Sequence, residues 1–141
     1  MTQAIFDGHN DLLSRLWAMK DRHGEAFLEG WEGAVSLPHA QAGGLAGGFF
    51  AVWVPGDPKT APDPTATLRA HPPVNTDTAH RVTMEQASIL IRLDAERPDA
   101  IRLCRSVAEI EAARTAGAVA ALLHVEGCEG IGEGLDELHV L

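Results

Sequence analysis

The segment that most limits the possible folds of this chain is the apolar run at residues 118–125, which ends at Glu126. Its only polar side chain is His124. A nearly continuous apolar run of this length is typical of a strand that is buried on both faces of a parallel sheet. The segment therefore predicts an α/β protein with parallel strands.

The rest of the chain alternates strand and helix patterns in the same way. Three more strands are predicted at residues 4–7, 49–54 and 101–104, and helices at residues 12–19, 79–97 and 106–116. Ser106 and Glu109 form a capping box at the start of the last helix, and Gly117 ends it. Six of the eight prolines lie between Pro55 and Asp77, which predicts a long proline-rich loop over residues 55–78.

Composition and charge narrow the functional classes. Of the 141 residues, 45% are hydrophobic and 22% are charged, which predicts a soluble protein with a packed core. A net charge of −9 argues against nucleic acid as a partner and favours cations or small substrates. We see no membrane segment and no secretory signal, and two cysteines are too few for a disulfide framework, so a cytoplasmic location is expected.

Two groups of polar residues follow predicted strands directly. His9-Asn10-Asp11 comes after the first strand, and Glu126 comes after the last. In an extended segment residues i and i+2 project to the same side, so His9 and Asp11 can hold one cation. By themselves these residues are also compatible with a surface turn and a solvated carboxylate. Their position at strand ends, where α/β folds place ligands, favours a metal site.

Residues 6–12 (FDGHNDL) and 124–127 (HVEG) resemble the membrane (renal) dipeptidase family of zinc metallopeptidases. Residues 43–55 and 101–111 resemble that family's glycine-rich second strand and a later strand-to-helix segment. The resemblance implies a (β/α)8 TIM-type barrel with two Zn2+ ions. It implies that His9 and Asp11 bind one zinc, that Glu126 bridges both, and that a metal-bridging hydroxide hydrolyses the peptide bond of a dipeptide.

The length of the chain sets limits on this interpretation. A (β/α)8 barrel takes about 250 residues, so residues 1–141 are expected to form the N-terminal part, about three βα units, of a single barrel domain. The remaining histidine ligands, the proton-transfer residue and the substrate-binding arginine of the family are expected beyond Leu141, so no catalytic residue is assigned here. The piece alone is expected to be inactive.

Other interpretations stay open at this point. Another metal-dependent amidohydrolase, acting on a cyclic amide or lactone, also fits an H-x-D pair, and so does a non-catalytic metal- or peptide-binding domain. Assembly into a homo-oligomer is left open. The glycines at 127, 130, 132 and 134 lack the order of a phosphate-binding loop. His124 is expected to be a residue of the core or of the layer behind the metal ligands, and a Cys128–His124 nucleophile is disfavoured.

Overall fold

A computed structural model describes residues 4–56 and 74–140 of the chain. The strands are β1 (Ile5–Asn10), β2 (Leu45–Trp53), β3 (Ile101–Leu103) and β4 (Val119–Glu126). The helices are α1 (Leu12–Ala18), α2 (Glu25–Glu29), α3 (Leu37–Gly43), α4 (Thr76–Glu96) and α5 (Val107–Ala116), and a 3₁₀ turn covers Asp136–His139. The prediction of an α/β protein with parallel strands is confirmed.

The four strands form one parallel sheet in the order β1-β2-β4-β3. β2 and β4 pair without a break from Gly47 opposite Ala120 to Trp53 opposite Glu126. β3, which was predicted at residues 101–104, pairs with residues 119–121 of β4 and lies at the margin of the sheet. The carboxyl ends of β1, β2 and β4 therefore lie side by side at one edge of the sheet.

Two glycines allow the central strands to approach closely. A Cβ atom on Gly47 would lie 2.5 Å from the carbonyl oxygen of Ala120 on β4, and one on Gly48 would lie 2.8 Å from Asp7 on β1. Real Cβ contacts are longer than this, so any larger residue would push the strands apart. The glycine-rich start of β2 thus fits the space between its two neighbours.

The two faces of the sheet are covered differently. Helices α1 and α4 cover one face, where the main core includes the fully buried Leu13, Phe50 and Leu90. On the other face, helix α5 covers only the start of β4, through contacts that include Ala113 and Ala120. The carboxyl end of that second face is partly exposed, and we call it the open face. Its side chains come from Phe6, Phe49, His124 and Glu126.

Several boundaries differ from the sequence prediction. Helices α2 and α3 are additional, and β2 begins four residues earlier than predicted. Helix α4 begins at Thr76, inside the predicted loop 55–78, because Asn75 accepts hydrogen bonds from the amides of Asp77 and Thr78 and caps it. Residues 57–73 of that loop lie outside the described part of the chain. Within the described ranges, no helix has both the length and the apolar character that crossing a membrane requires.

Candidate metal centre

An irregularity in β1 determines which way His9 points. Asp7 pairs with Gly48 and Asn10 pairs with Phe50. Between these two pairs, β1 has two residues, Gly8 and His9, where β2 has one, Phe49. The extra residue shifts the alternation of side chains by one position, as β-bulges do. Asn10 therefore lies on the buried face, only 6% exposed, and His9 lies on the open face. The backbone amide of His9 donates to Oδ1 of Asp7 at 3.1 Å, which supports this local conformation.

Asp11 lies directly after the last residue of β1 and begins helix α1. Its backbone angles, φ −97° and ψ 18°, are not extended, because Asp11 is the N-cap of α1. Its carbonyl oxygen accepts from the amide of Arg15 and from the hydroxyl of Ser14, while its carboxylate makes no capping hydrogen bond. The side chains of His9 and Asp11 converge while Asn10 between them lies on the buried face, which agrees with the alternation expected of an extended segment; β1 ends at Asn10, and Asp11 starts the helix.

Glu126 is the last residue of β4 and is paired in register with Trp53 of β2. The next residue, Gly127, has φ +83°, a left-handed conformation that glycine adopts without strain. The chain therefore turns away immediately after Glu126. The Glu126 carboxylate projects from the strand end on the open face.

The three side chains form one cluster. Nε2 of His9 lies 3.5 Å from Oδ1 of Asp11 and 3.5 Å from Oε2 of Glu126. One ligand atom from each side chain lies within 4.8 Å of the other two. Each side chain is about half exposed, at 43%, 52% and 46% for His9, Asp11 and Glu126. In the described part of the chain this is the one group of three or more histidine, cysteine or acidic residues with such spacing.

This donor set fits a zinc ion. Imidazole nitrogen and carboxylate oxygen are common zinc ligands, and two ligands on one tetrahedral zinc lie about 3.3 Å apart, given bonds of about 2.0–2.1 Å. The two 3.5 Å separations agree with this spacing. Two carboxylates at such short range also repel each other, and a cation between them removes that repulsion.

A cavity of about 650 Å³ opens beside the cluster. Its walls include Asp7, His9 and Asp11 on one side, Arg15 of α1, and residues 31–35 of the segment that follows α2. A hydrogen bond joins the two ends of this segment: Nε1 of Trp31 donates to the carbonyl oxygen of Val35 at 2.9 Å. Arg15 is the one lysine or arginine among the lining residues. Its guanidinium makes no ion pair or hydrogen bond with another described side chain.

The other sequence candidates are not members of the three-residue cluster. His124 is half-buried, and its ring packs against the ring of His9, as expected for a residue behind the ligands. Cys128 is exposed and belongs to no metal-binding group among the described residues. The other cysteine, Cys104, is buried, and that burial is the main reason why the pKa of its thiol is raised.

Sequence reasoning missed three features around the site. Arg15 looked like an ordinary polar residue of an amphipathic helix, and residues 31–35 carry no motif. Gln86 is fully buried and hydrogen-bonds the backbone of Trp53 at the end of β2. A polar residue within the apolar stripe of α4 was the available signal for Gln86.

Comparisons with known proteins identify the family of this chain. The family model for membrane dipeptidase (peptidase family M19) matches residues 1–141. An uncharacterized protein in the PQQ-III 3' region of Acinetobacter calcoaceticus is 30% identical over an alignment of 149 positions that covers 96% of this chain and 44% of that protein. The chain therefore spans less than half the length of this relative.

Two solved structures of metallo peptidases are also similar to this chain. A metallo peptidase from Rhodobacter sphaeroides, liganded with a phosphinate mimic of the dipeptide L-Ala-D-Ala, is 34% identical with a TM-score of 0.78, over 99% of this chain and 42% of that one. The dipeptidase AC, a metallo peptidase of family M19, is 36% identical with a TM-score of 0.81, over 99% of this chain and 40% of that one. The chain belongs to the membrane dipeptidase family, peptidase family M19.

Proposed function

We propose that this chain carries part of the active site of a zinc-dependent dipeptidase, in which His9 and Asp11 hold one zinc ion and Glu126 bridges two. The observation that carries the proposal is the position of His9 Nε2, 3.5 Å from a carboxylate oxygen on either side. This cluster lies at the carboxyl ends of parallel strands, where α/β enzymes bind their ligands. Family membership supports the choice of a metallo-dipeptidase over other hydrolases.

The residues and the metal have separate roles in this proposal. Zinc bound at such a site supplies Lewis-acid polarisation of a peptide carbonyl and activation of water. Asp11 and Glu126 would supply the negative charge that retains the cations, and the Glu126 carboxylate, with its two oxygens, would be shared between them. His9 adds a neutral nitrogen ligand, so the first site binds zinc without a further negative charge.

The adjacent cavity suits a short peptide. Its volume of about 650 Å³ lies within the usual range for small-molecule sites, about 300–1,000 Å³. A dipeptide carries an amino group and a carboxylate, and the lining offers charges for both. We propose that Arg15, which has no described ion-pair partner, attracts a carboxylate of the peptide, while Asp7 and Glu32 attract its amino group.

The domain organisation, the location and the activity of residues 1–141 alone are also proposals. We propose that residues 1–141 belong to a single barrel domain, that the protein acts in the cytoplasm on small peptides, and that residues 1–141 alone do not hydrolyse them. The last proposal follows from the ligand set, since three protein ligands are too few for two zinc ions, and zinc sites usually take three or four each.

Metal content and a substrate panel test the proposed function. We expect two zinc ions per molecule of the complete enzyme and hydrolysis of dipeptides, but no hydrolysis of cyclic amides or lactones. Hydrolysis of a lactone or cyclic amide with no dipeptide cleavage would favour a different amidohydrolase. One zinc per molecule with no hydrolysis of any substrate would favour a metal- or peptide-binding domain.

A further inference from the structure

The ring of His124 lies between the candidate ligand His9 and the ring of Phe49. Its centroid is 5.8 Å from that of His9 with the planes at 80°, and 6.0 Å from that of Phe49 at 66°. Phe49 meets Phe6 in the same edge-to-face manner, at 5.7 Å and 85°. Four rings therefore form a continuous row across the open face, and the row ends at the metal cluster.

His9 needs a contact of this kind to keep its orientation. Rotation of an imidazole about χ2 is only weakly restricted by the side chain itself. Histidines that bind metals are usually held by a hydrogen bond from the second ring nitrogen to a carboxylate or carbonyl oxygen. Among residues 4–56 and 74–140, no oxygen accepts a hydrogen bond from Nδ1 of His9. The ring of His124 is the described aromatic group that contacts the His9 ring.

The backbone places His124 where it can do this. His124 and Glu126 are two residues apart on β4, so their side chains leave the strand on the same face. His124 is paired in register with Ala51 of β2, a small and fully buried residue. This small neighbour leaves room above the sheet for the imidazole, which can then reach across β2 towards the end of β1.

We propose that His124 is a positioning residue, whose ring sets the orientation of the His9 imidazole and so directs Nε2 towards Asp11 and Glu126. This inference rests on the proposed zinc site. The contact acts through the shape of the ring and its edge-to-face packing, which aromatic pairs prefer. It does not require either nitrogen of His124 to donate or accept a hydrogen bond.

Two substitutions at His124 distinguish the role of the ring from the role of its nitrogen atoms. His124→Phe keeps a flat ring and removes the hydrogen-bonding groups, whereas His124→Gln keeps a polar group and removes the ring. We expect His124→Phe to bind zinc within about 3-fold of the wild type and His124→Gln to bind about 10-fold more weakly, the range found for residues that support metal ligands. The visible absorption spectrum of the cobalt-substituted protein should change in His124→Gln and not in His124→Phe.

Leu122→Ala is the matched control, because Leu122 lies two residues earlier on the same strand and face and packs against the cluster of Cys104, Ala113 and Ala120. It should lower thermal stability and leave zinc affinity and the cobalt spectrum unchanged. Equal zinc affinity of His124→Gln and wild type, or weak binding by His124→Phe, would overturn this inference alone. Failure of the wild type to bind zinc would overturn the proposed function, and this inference with it.

Discussion

Gln86 of α4 holds both backbone polar groups of Trp53 at the end of β2. Its Nε2 donates to the carbonyl oxygen of Trp53 at 2.7 Å, and its Oε1 accepts from the amide of Trp53 at 3.1 Å. Because Trp53 is the register partner of Glu126, this pair fixes the strand end beside the metal cluster. A fully buried side chain thus provides the hydrogen bonds that another strand would otherwise make at this position.

Gln86→Leu should therefore be strongly destabilising. The change keeps most of the buried volume but leaves the amide and carbonyl of Trp53 without these two partners, which costs about 1–3 kcal/mol for each group. We expect the free energy of unfolding in urea to fall by about 2–6 kcal/mol. Gln41→Leu on the exposed side of α3 is the control and should change it by less than about 0.5 kcal/mol. Similar stabilities for both variants would contradict the role of Gln86.

Glu85 should make folding stability depend on pH. Its carboxylate accepts from Nε1 of Trp17 at 2.6 Å and lies near Arg22 and Arg81. The hydrogen bond from Trp17 is the main cause that holds the pKa of Glu85 below its usual value of 4.5, with smaller contributions from the two arginines. A lowered pKa in the folded state means that the stabilisation is complete above the unfolded pKa and is lost as the pH falls through the folded one.

Urea unfolding of Glu85→Gln at two pH values checks this expectation. At pH 7 the variant should be less stable than the wild type by about 1–2 kcal/mol, the value of a hydrogen bond to a charged group. The difference should shrink as the pH falls below the usual value of 4.5 and through the lowered pKa of Glu85 in the folded state. Glu29→Gln, on an exposed part of α2, serves as the control. A difference between Glu85→Gln and wild type that stays constant down to pH 3 would rule out this linkage.

His9 and Asp11 should behave as one metal-binding unit. Removing either ligand leaves the other misaligned, so His9→Ala, Asp11→Ala and the double variant should each lose at least about 100-fold in affinity at the first zinc site, with strongly non-additive effects. Asn10→Ala should retain zinc within a few-fold, because its side chain lies on the buried face and its Oδ1 accepts from the amide of Leu12.

Zinc titration of the four variants measures these affinities. Asn10→Ala also separates loss of a ligand from general destabilisation of the protein. This variant loses a buried hydrogen bond and about 1 kcal/mol of stability but keeps both ligands, so its zinc affinity reports the effect of destabilisation alone. Loss of zinc by Asn10→Ala with retention by Asp11→Ala would refute the assignment of the H-x-D pair.

Arg15→Met should impair binding of the substrate more than the chemical step. The change keeps much of the apolar stem but removes the cation from the cavity, so we expect KM for a dipeptide to rise about 10-fold with kcat nearly unchanged. Two comparisons identify which carboxylate Arg15 attracts. A dipeptide and its C-terminal amide test the terminal carboxylate, and dipeptides with a neutral or an acidic second residue test a side-chain carboxylate. Lys20→Met, just after α1, is the control. An unchanged KM for all four substrates would exclude Arg15 from substrate binding.

The sequence allowed the strands and the three clustered residues to be predicted, because each depends on local patterns. The apolar run before Glu126 and the short run before His9 identify strand ends, and parallel strands bring their carboxyl ends together. The family resemblance then related residues that are 117 positions apart, from His9 to Glu126. The alternation expected for His9 and Asp11 agrees with the structure, in which the two side chains converge and Asn10 faces the other way.

Other parts of the fold depend on tertiary contacts that local patterns do not report. The extra residue in β1 is visible only through its pairing with β2, and β3 joins β4 through a three-residue ladder at the sheet margin. Helix α2 is only five residues long, and α3, although as long as α1, has one large apolar side chain, Leu37, so neither shows a helical period. Arg15 becomes notable only when residues 31–35 are folded opposite it.

Replacement of Glu126 by glutamine tests the central claim most directly. A neutral amide is a poor bridge between two cations, and the cluster loses one of its two negative charges. We predict that folded Glu126→Gln in the complete enzyme loses bound zinc and dipeptide hydrolysis together, while Glu129→Gln, an equal change of charge three residues away, retains both. Wild-type zinc content and turnover in a folded Glu126→Gln protein would contradict the account.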